Sequence, residues 1–245
     1  MSIIIWIILA LIVNSLIGLI GAFSLYLKRK VLQKLIFSFV SFAAGAILGG
    51  SLYQLLAESL KEMNVLQAIN WLIVGFILFF ILEIILKWYH SHKLRQKLRN
   101  FGYSIFIGDA VHNIADGLII TSTFLIDVNL GVTTTLLVIA HEVPQELGIF
   151  SSAVYGGIKI KKAIFLTFLS QASCILGGLL GYYFLSEEMI LPMLSFAAGG
   201  FIYIAASDLI PELNKESNTK KSIITLLIFL IGFVFIVSIK LFLPG

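Results

Sequence analysis

His112-Asn113-Ile114-Ala115-Asp116-Gly117 and His141-Glu142-Val143-Pro144-Gln145-Glu146 put ionisable side chains in the middle of two apolar runs, residues 102–126 and 131–155. Each run is long enough to cross a bilayer, which takes about 20 mainly apolar residues. A charged group at that depth costs several kcal/mol, so it needs a partner or a task. The two hexamers also resemble each other, each beginning with His, then Asn or Glu, and reaching Asp or Gln a helical turn later.

The chain around them fixes the class. It is 59% hydrophobic and 12% charged, with a mean hydropathy of +1.04. No soluble domain of 245 residues hides so much apolar surface. Apolar runs over 3–27, 33–57, 67–89, 102–126, 131–155, 163–185, 190–211 and 222–243 predict an all-α polytopic membrane protein of eight spans, one transmembrane domain filling residues 1–245. The runs are continuous rather than alternating, which excludes a transmembrane barrel. The first run lacks a basic n-region and exceeds a signal-peptide core, so it reads as a retained helix. The lone Cys174 excludes a disulfide framework and a cysteine-rich metal site.

Charge sets the orientation. Of the 17 basic residues, 15 follow odd-numbered spans: Lys28, Arg29, Lys30 and Lys34; Lys87, Lys93, Arg95, Lys97 and Arg99; Lys159, Lys161 and Lys162; Lys215, Lys220 and Lys221. Only Lys61 and Lys240 fall on the other side. Positively charged loops stay in the cytoplasm, so both termini are expected outside. The net charge of +4 therefore belongs to topology and calls for no nucleic-acid partner. The short connections point to a prokaryotic plasma membrane.

An internal repeat is visible. Phe42-Ala43-Ala44-Gly45 recurs as Phe196-Ala197-Ala198-Gly199, and Gln54-Leu55-Leu56-Ala57-Glu58 matches Asp208-Leu209-Ile210-Pro211-Glu212. Spans two and seven run oppositely, so the repeat is inverted, as in many secondary transporters. The plainer alternative is that small residues merely let helices pack closely.

The polar residues converge by counting. At 1.5 Å per residue from the outer ends of spans four and five, both hexamers lie roughly 15–22 Å deep. Asp109, His112, Asn113 and Asp116 occupy an arc of about 100°, and His141, Glu142, Gln145 and Glu146 one of about 140°. Between Arg99 and Lys159 there is no Lys or Arg, but there are five acids: Asp109, Asp116, Asp127, Glu142 and Glu146. Buried carboxylates require a counter-charge. A divalent cation supplies one, and imidazole with carboxylate suits zinc as well as iron, manganese, cobalt or nickel. The candidate metal ligands are His112, Asn113, Asp116, His141, Glu142, Gln145 and Glu146. Asp109, Gln171, Asp208 and Glu212 are candidate residues of the path, with Gln171, Ser170 or Ser173 able to add an oxygen ligand from span six. Pro144 is expected to loosen span five, and Gly117 and Gly148 to allow close helix approach. Glu83 reads as a surface pair with Lys87, Asn14 and Cys174 as packing residues, and His90 and His92 as solvated.

These motifs resemble those of the ZIP family of divalent-metal transporters, over essentially the whole chain: eight spans, His-Asn-x-x-Asp-Gly in the fourth, His-Glu-x-Pro-x-Glu in the fifth, and Gly108-Asp109 ahead of the first motif. The resemblance implies helices four and five enclosed by an inverted-repeat scaffold, often a homodimer, with a closely paired metal site at the midplane. By motif position His112, Asp116, His141 and Gln145 would form one site, and Asn113, Glu142 and Gln145 its neighbour. Position 145 is commonly His or Glu in the family and is Gln here. The loop after span three, often long and His-rich, is short here. The expected function is transport of Zn²⁺ or a similar divalent ion into the cytoplasm, with the metal as cargo and no resident cofactor. The alternative is an intramembrane zinc hydrolase, since His141-Glu142 opens a His-Glu-x-x-His pattern that Gln145 then breaks. A carrier is favoured over a channel by the inverted repeat.

Overall fold

The computed structural model describes the backbone of residues 2–26, 29–93, 98–155, 157–214 and 218–242. Within these ranges, side chains are described except at 23–26, 29–30, 32–36, 86–93, 98–105, 144, 151–152, 155, 208, 212 and 240–242. The fold is all-α; among the described residues there is no strand.

Eight long helical segments follow one another: α1 (Ile3–Gly18, continued by a 3₁₀ stretch Leu19–Tyr26), α2 (Arg29–Gly50), α3 (Val65–Lys93), α4 (Leu98–Ile126), α5 (Val128–Tyr155), α6 (Ile160–Phe184), α7 (Glu187–Ile204) and α8 (Thr219–Phe242). Six of the eight are long and apolar enough to cross a membrane: Ile3–Ala22, Phe37–Ser59, Val65–Ile85, Ile160–Phe184, Glu187–Ser207 and Thr219–Ile239. The two others, α4 and α5, have 29 and 28 residues. At 1.5 Å per residue they reach about 42 Å, more than the bilayer's apolar core, and both carry polar and acidic residues at mid-length.

Turns are short because the chain supplies caps. Asp127 Oδ1 accepts from the backbone N–H groups of Asn129 (2.8 Å) and Leu130 (3.1 Å), so the expected α4–α5 loop shrinks to Asp127 itself. Asn64 Oδ1 caps α3 through the Leu66 N–H (2.8 Å), and Asn218 Oδ1 caps α8 through that of Lys221 (3.1 Å). α5 runs unbroken through Pro144 rather than opening there.

The sequence repeat is a structural repeat. α2 passes into a π-helical stretch at Ser51–Leu56, and α7 into one at Ala205–Leu209, the same offset that separates Gly45 from Gly199. Neighbours correspond as well. A Cβ on Gly45 would stand 1.9 Å from the Phe229 carbonyl oxygen of α8, and one on Gly199 would stand 1.9 Å from that of Leu72 on α3. Gly232 and Gly75 repay these contacts, against the carbonyl oxygens of Phe42 and Phe196 at 2.2 and 2.0 Å. α2 thus packs on α8 as α7 packs on α3, with backbones at the close approach that small residues permit. α4 and α5 lie between α1 and α6 on one side and the α2/α7 pair on the other. Gly117 joins α4 to α6, its missing Cβ leaving 2.0 Å to the Cys174 carbonyl oxygen. At Gly148 nothing among the described residues lies within 4 Å of where its Cβ would be.

Candidate metal centre

The stripes on α4 and α5 meet because two antiparallel helices share one tight turn at Asp127. Residues 109, 112, 113 and 116 recur at helical spacing on α4, and 141, 142, 145 and 146 on α5. Four of them close into one cluster. His112 Nε2 lies 3.2 Å from His141 Nε2, 3.6 Å from Asp116 Oδ2 and 3.9 Å from Glu142 Oε1. His141 Nε2 lies 3.4 Å from Asp116 Oδ2 and 3.8 Å from Glu142 Oε1. One ligand atom from each residue falls within 4.8 Å of all the others. Asp116, His141 and Glu142 are fully buried, while the His112 side chain keeps 18% of its surface exposed.

Both imidazoles are held by neighbours. His141 Nδ1 sits 3.2 Å from the Leu137 carbonyl oxygen, which can only accept; Nδ1 therefore carries the hydrogen and Nε2 turns its lone pair into the cluster. The ring edge of His141 meets Phe201 of α7 at 5.5 Å between centroids, and His112 meets Phe79 of α3 at 6.2 Å. Phe79 and Phe201 carry no mark in the sequence that distinguishes them from the other phenylalanines; only the packed helices reveal them.

Electrostatically the cluster lacks a cation. Asp116 Oδ1 and Oδ2 and Glu142 Oε1 are buried and accept no hydrogen bond from the described residues, and the same is true of Asp109 Oδ2 and Glu146 Oε2. Such orphaned acceptors are costly away from water. No Lys or Arg stands on either helix between Arg99 and Lys159 to neutralise them.

A second polar layer lies one turn along both helices. Gln145 Nε2 donates to Asp109 Oδ1 (3.1 Å), so its amide nitrogen is directed at Asp109. Gln171 Nε2 donates to Glu142 Oε2 (2.6 Å) and Glu146 Oε1 (3.1 Å). Asn113 is fully buried and donates to the Asp109 carbonyl oxygen of its own helix (3.1 Å), leaving its Oδ1 without a donor. Ser173 fastens α6 to α4 by donating to the Ala110 carbonyl oxygen (2.7 Å), and Ser170 bonds Thr167 within its own helix. Asn14 donates to Cys174 Sγ at 3.5 Å, a packing contact between α1 and α6. Beyond Asp116 in the other direction the helices pack through apolar side chains: Ile119, Ile120, Phe124, Leu137 and Val138 are at most 1% exposed.

Asp208 lies in the π-helical stretch of α7 and Glu212 in the turn Ile210–Leu213 that follows it; their side chains are outside the described residues, as are those of Lys87, His90 and His92. Glu83 accepts a hydrogen bond from the Tyr203 hydroxyl of α7, which makes it an interhelical contact rather than only a surface partner for Lys87.

The ZIP zinc transporter family model matches residues 89–240, which contain both hexamers. The chain belongs to the ZIP zinc transporter family. Similar proteins include one named zinc transporter ZIP13 from Pongo abelii, 30% identical over 226 residues, covering 83% of this chain and 66% of the relative. Human zinc transporter ZIP4 is 34% identical over 136 residues, 55% of this chain and 21% of its own length. The metal cation symporter ZIP14 of Xenopus tropicalis is 38% identical over 118 residues, 47% of this chain and 25% of its own. The chain therefore spans just under two thirds of the first ZIP relative and a quarter or less of the other two.

Proposed function

We propose that this protein moves a divalent metal ion, Zn²⁺ foremost, across the membrane into the cytoplasm, holding it between α4 and α5 on His112, Asp116, His141 and Glu142. One observation carries the reading. Zinc bound tetrahedrally at 2.0–2.2 Å by nitrogen and oxygen has ligand atoms about 3.3–3.6 Å apart. Five of the six separations among these four side chains run from 3.2 to 3.9 Å, and all six lie within 4.8 Å. An ion at their centre would also satisfy the orphaned Asp116 Oδ2 and Glu142 Oε1. Asn113, Gln145, Glu146 and Asp109 form the next polar layer toward the basic loops, where a leaving ion would first be met; Asp208 and Glu212 on α7 extend that route.

In this reading α4 and α5 cross the membrane with the other six helices, and the positive loops stay in the cytoplasm, so both termini lie outside. The metal is cargo and not a cofactor. The printed names of the relatives, zinc transporters and a metal cation symporter, support this choice of cargo. The short loops support a prokaryotic plasma membrane, and the family resemblance supports a homodimer. The hydrolase alternative has no second His at the fourth position after His141; Gln145 stands there with its amide nitrogen on Asp109.

The test is uptake of radioactive zinc and other divalent metals into proteoliposomes under an imposed pH gradient. Zinc accumulation is expected for the unmodified protein and absent for His141→Ala and Asp116→Ala at equal insertion. Undiminished uptake by both variants would sink the site; metal-dependent cleavage of peptide or lipid without uptake would restore the hydrolase.

A further inference from the structure

We infer that Gln171 of α6 is a positioning residue for the metal centre: it acts as a donor that aims Glu142, held in place by the absence of a side chain at Gly18. The inference rests on the transport reading above and adds the means by which one of its ligands is oriented.

The carboxamide of Gln171 is fully buried and its two ends face different chemistry. Nε2 stands 2.6 Å from Glu142 Oε2 and 3.1 Å from Glu146 Oε1. An amide nitrogen carries two hydrogens and both are directed at carboxylates one turn apart on α5. Glu142 is thereby divided in its duties. Oε2 is held by Gln171, and Oε1 is left toward the two imidazoles at 3.8 and 3.9 Å. The other end of the amide is turned away from the metal centre. Oε1 of Gln171 would lie 2.1 Å, and Cδ 2.0 Å, from a Cβ placed on Gly18 of α1, which locates that oxygen against α1. In this arrangement Gln171 supplies no oxygen to an ion. Ser15, one turn before Gly18, fixes the same residue's backbone by donating to the Gln171 carbonyl oxygen at 2.9 Å. Together α1 and α6 form a clamp on the outer oxygen of a ligand carried by α5.

A ligand and a donor at position 171 respond oppositely to charge. If Gln171 bound metal through oxygen, Gln171→Glu would provide a stronger ligand and hold metal at least as well. As a donor it cannot be replaced by Glu, which sets a third carboxylate against two others. Partners that orient metal ligands typically affect metal affinity by 10–100-fold.

The experiment measures initial rates of zinc uptake against zinc concentration in proteoliposomes, with zinc affinity of the purified protein measured by calorimetry. Gln171→Ala and Gly18→Ala should each raise the half-saturating concentration about tenfold, with the maximal rate per inserted molecule unchanged. Gln171→Glu should be weaker still. Gly18→Ala should have no further effect in the Gln171→Ala background, because the shortened side chain no longer meets the added methyl. Affinity for Gln171→Glu equal to or above that of the unmodified protein would overturn the donor role in favour of a ligand. Additive effects of the two alanine substitutions would overturn the link through Gly18. His141→Ala in the same vesicles separates the two claims. If it leaves uptake intact, the transport site itself is wrong; if it abolishes uptake while the Gln171 variants behave like the unmodified protein, only the positioning role fails.

Discussion

His112 of α4 and His141 of α5 face each other through their Nε2 atoms at 3.2 Å, close to the edge of about 3.3–3.4 Å between two nitrogens on a tetrahedral zinc. The two ring nitrogens are within hydrogen-bond distance of each other, with the donor set by the tautomer, and both rings are steadied by Phe79 and Phe201. Removing either ring should therefore remove a ligand and leave the helix pair intact. His112→Ala and His141→Ala are each expected to weaken zinc binding by about a hundredfold or more, beyond what outer-sphere partners contribute. Zinc should raise the thermal midpoint of the unmodified protein in detergent and leave that of either variant unmoved, since an ion stabilises only the state that binds it. Equal zinc-induced shifts in all three proteins would contradict the assignment.

Much of this was legible in the sequence, and the exceptions have physical reasons. The apolar runs mark the helices because membrane helices satisfy their backbones internally and declare themselves by composition. The offset between Gly45 and Gly199 predicts paired packing because the same short residues must admit a partner backbone wherever they recur. What the sequence withholds is direction within a stripe. Gln145 and Gln171 are equally plausible ligands on paper; only the folded chain shows their amide nitrogens spent on Asp109, Glu142 and Glu146. Gly148 was indistinguishable from Gly117 by neighbourhood, yet Gly117 faces a backbone 2.0 Å away while Gly148 meets nothing within 4 Å among the described residues. The aromatic supports of the two imidazoles come from α3 and α7, too far along the chain for local spacing to reveal.

The repeat predicts matched sensitivities. Gly45→Ala forces its methyl against the Phe229 carbonyl oxygen, and Gly199→Ala against that of Leu72, both at 1.9 Å before relaxation. Neither backbone oxygen can swing aside as a side chain would, so the helices must separate. Each substitution is expected to cost about 1–3 kcal/mol, the usual range for overpacking, and to lower the thermal midpoint by similar amounts. Gly148→Ala meets nothing within 4 Å among the described residues and should leave the midpoint unchanged or slightly raised, as Ala favours helix over Gly. A large loss at position 148, or none at 45 and 199, would contradict the packing.

Tyr203 joins the two halves of one repeat pair by donating its hydroxyl to Glu83 across the α3–α7 contact, with Phe76 edge-on to its ring at 5.2 Å. Tyr203→Phe keeps the aromatic contact and removes only the donor. A hydrogen bond to a charged acceptor is worth about 1.5–3 kcal/mol. Thermal unfolding should show a loss of that order, with zinc affinity unaltered because neither residue touches the metal centre. If Tyr203→Phe is as stable as the unmodified protein, the bond contributes nothing to the scaffold.

Orientation can be tested at two lysines that the charge count places on opposite sides. Lys61, in the turn after α2, and Lys161, at the start of α6, are both exposed, so a cysteine at either position can be reached by reagent. The buried Cys174 must first be replaced, and Cys174→Ala gives up its 3.5 Å contact with Asn14 and one sulfur's worth of core packing. In sealed cells a membrane-impermeant maleimide should label Lys61→Cys at once and label Lys161→Cys only after permeabilisation. By the charge count Lys161 falls with the 15 basic residues expected in the cytoplasm and Lys61 with the pair expected outside. The reverse pattern would invert the proposed orientation, and with it the direction in which the layer of Asp109, Gln145 and Glu146 leads away from the two histidines.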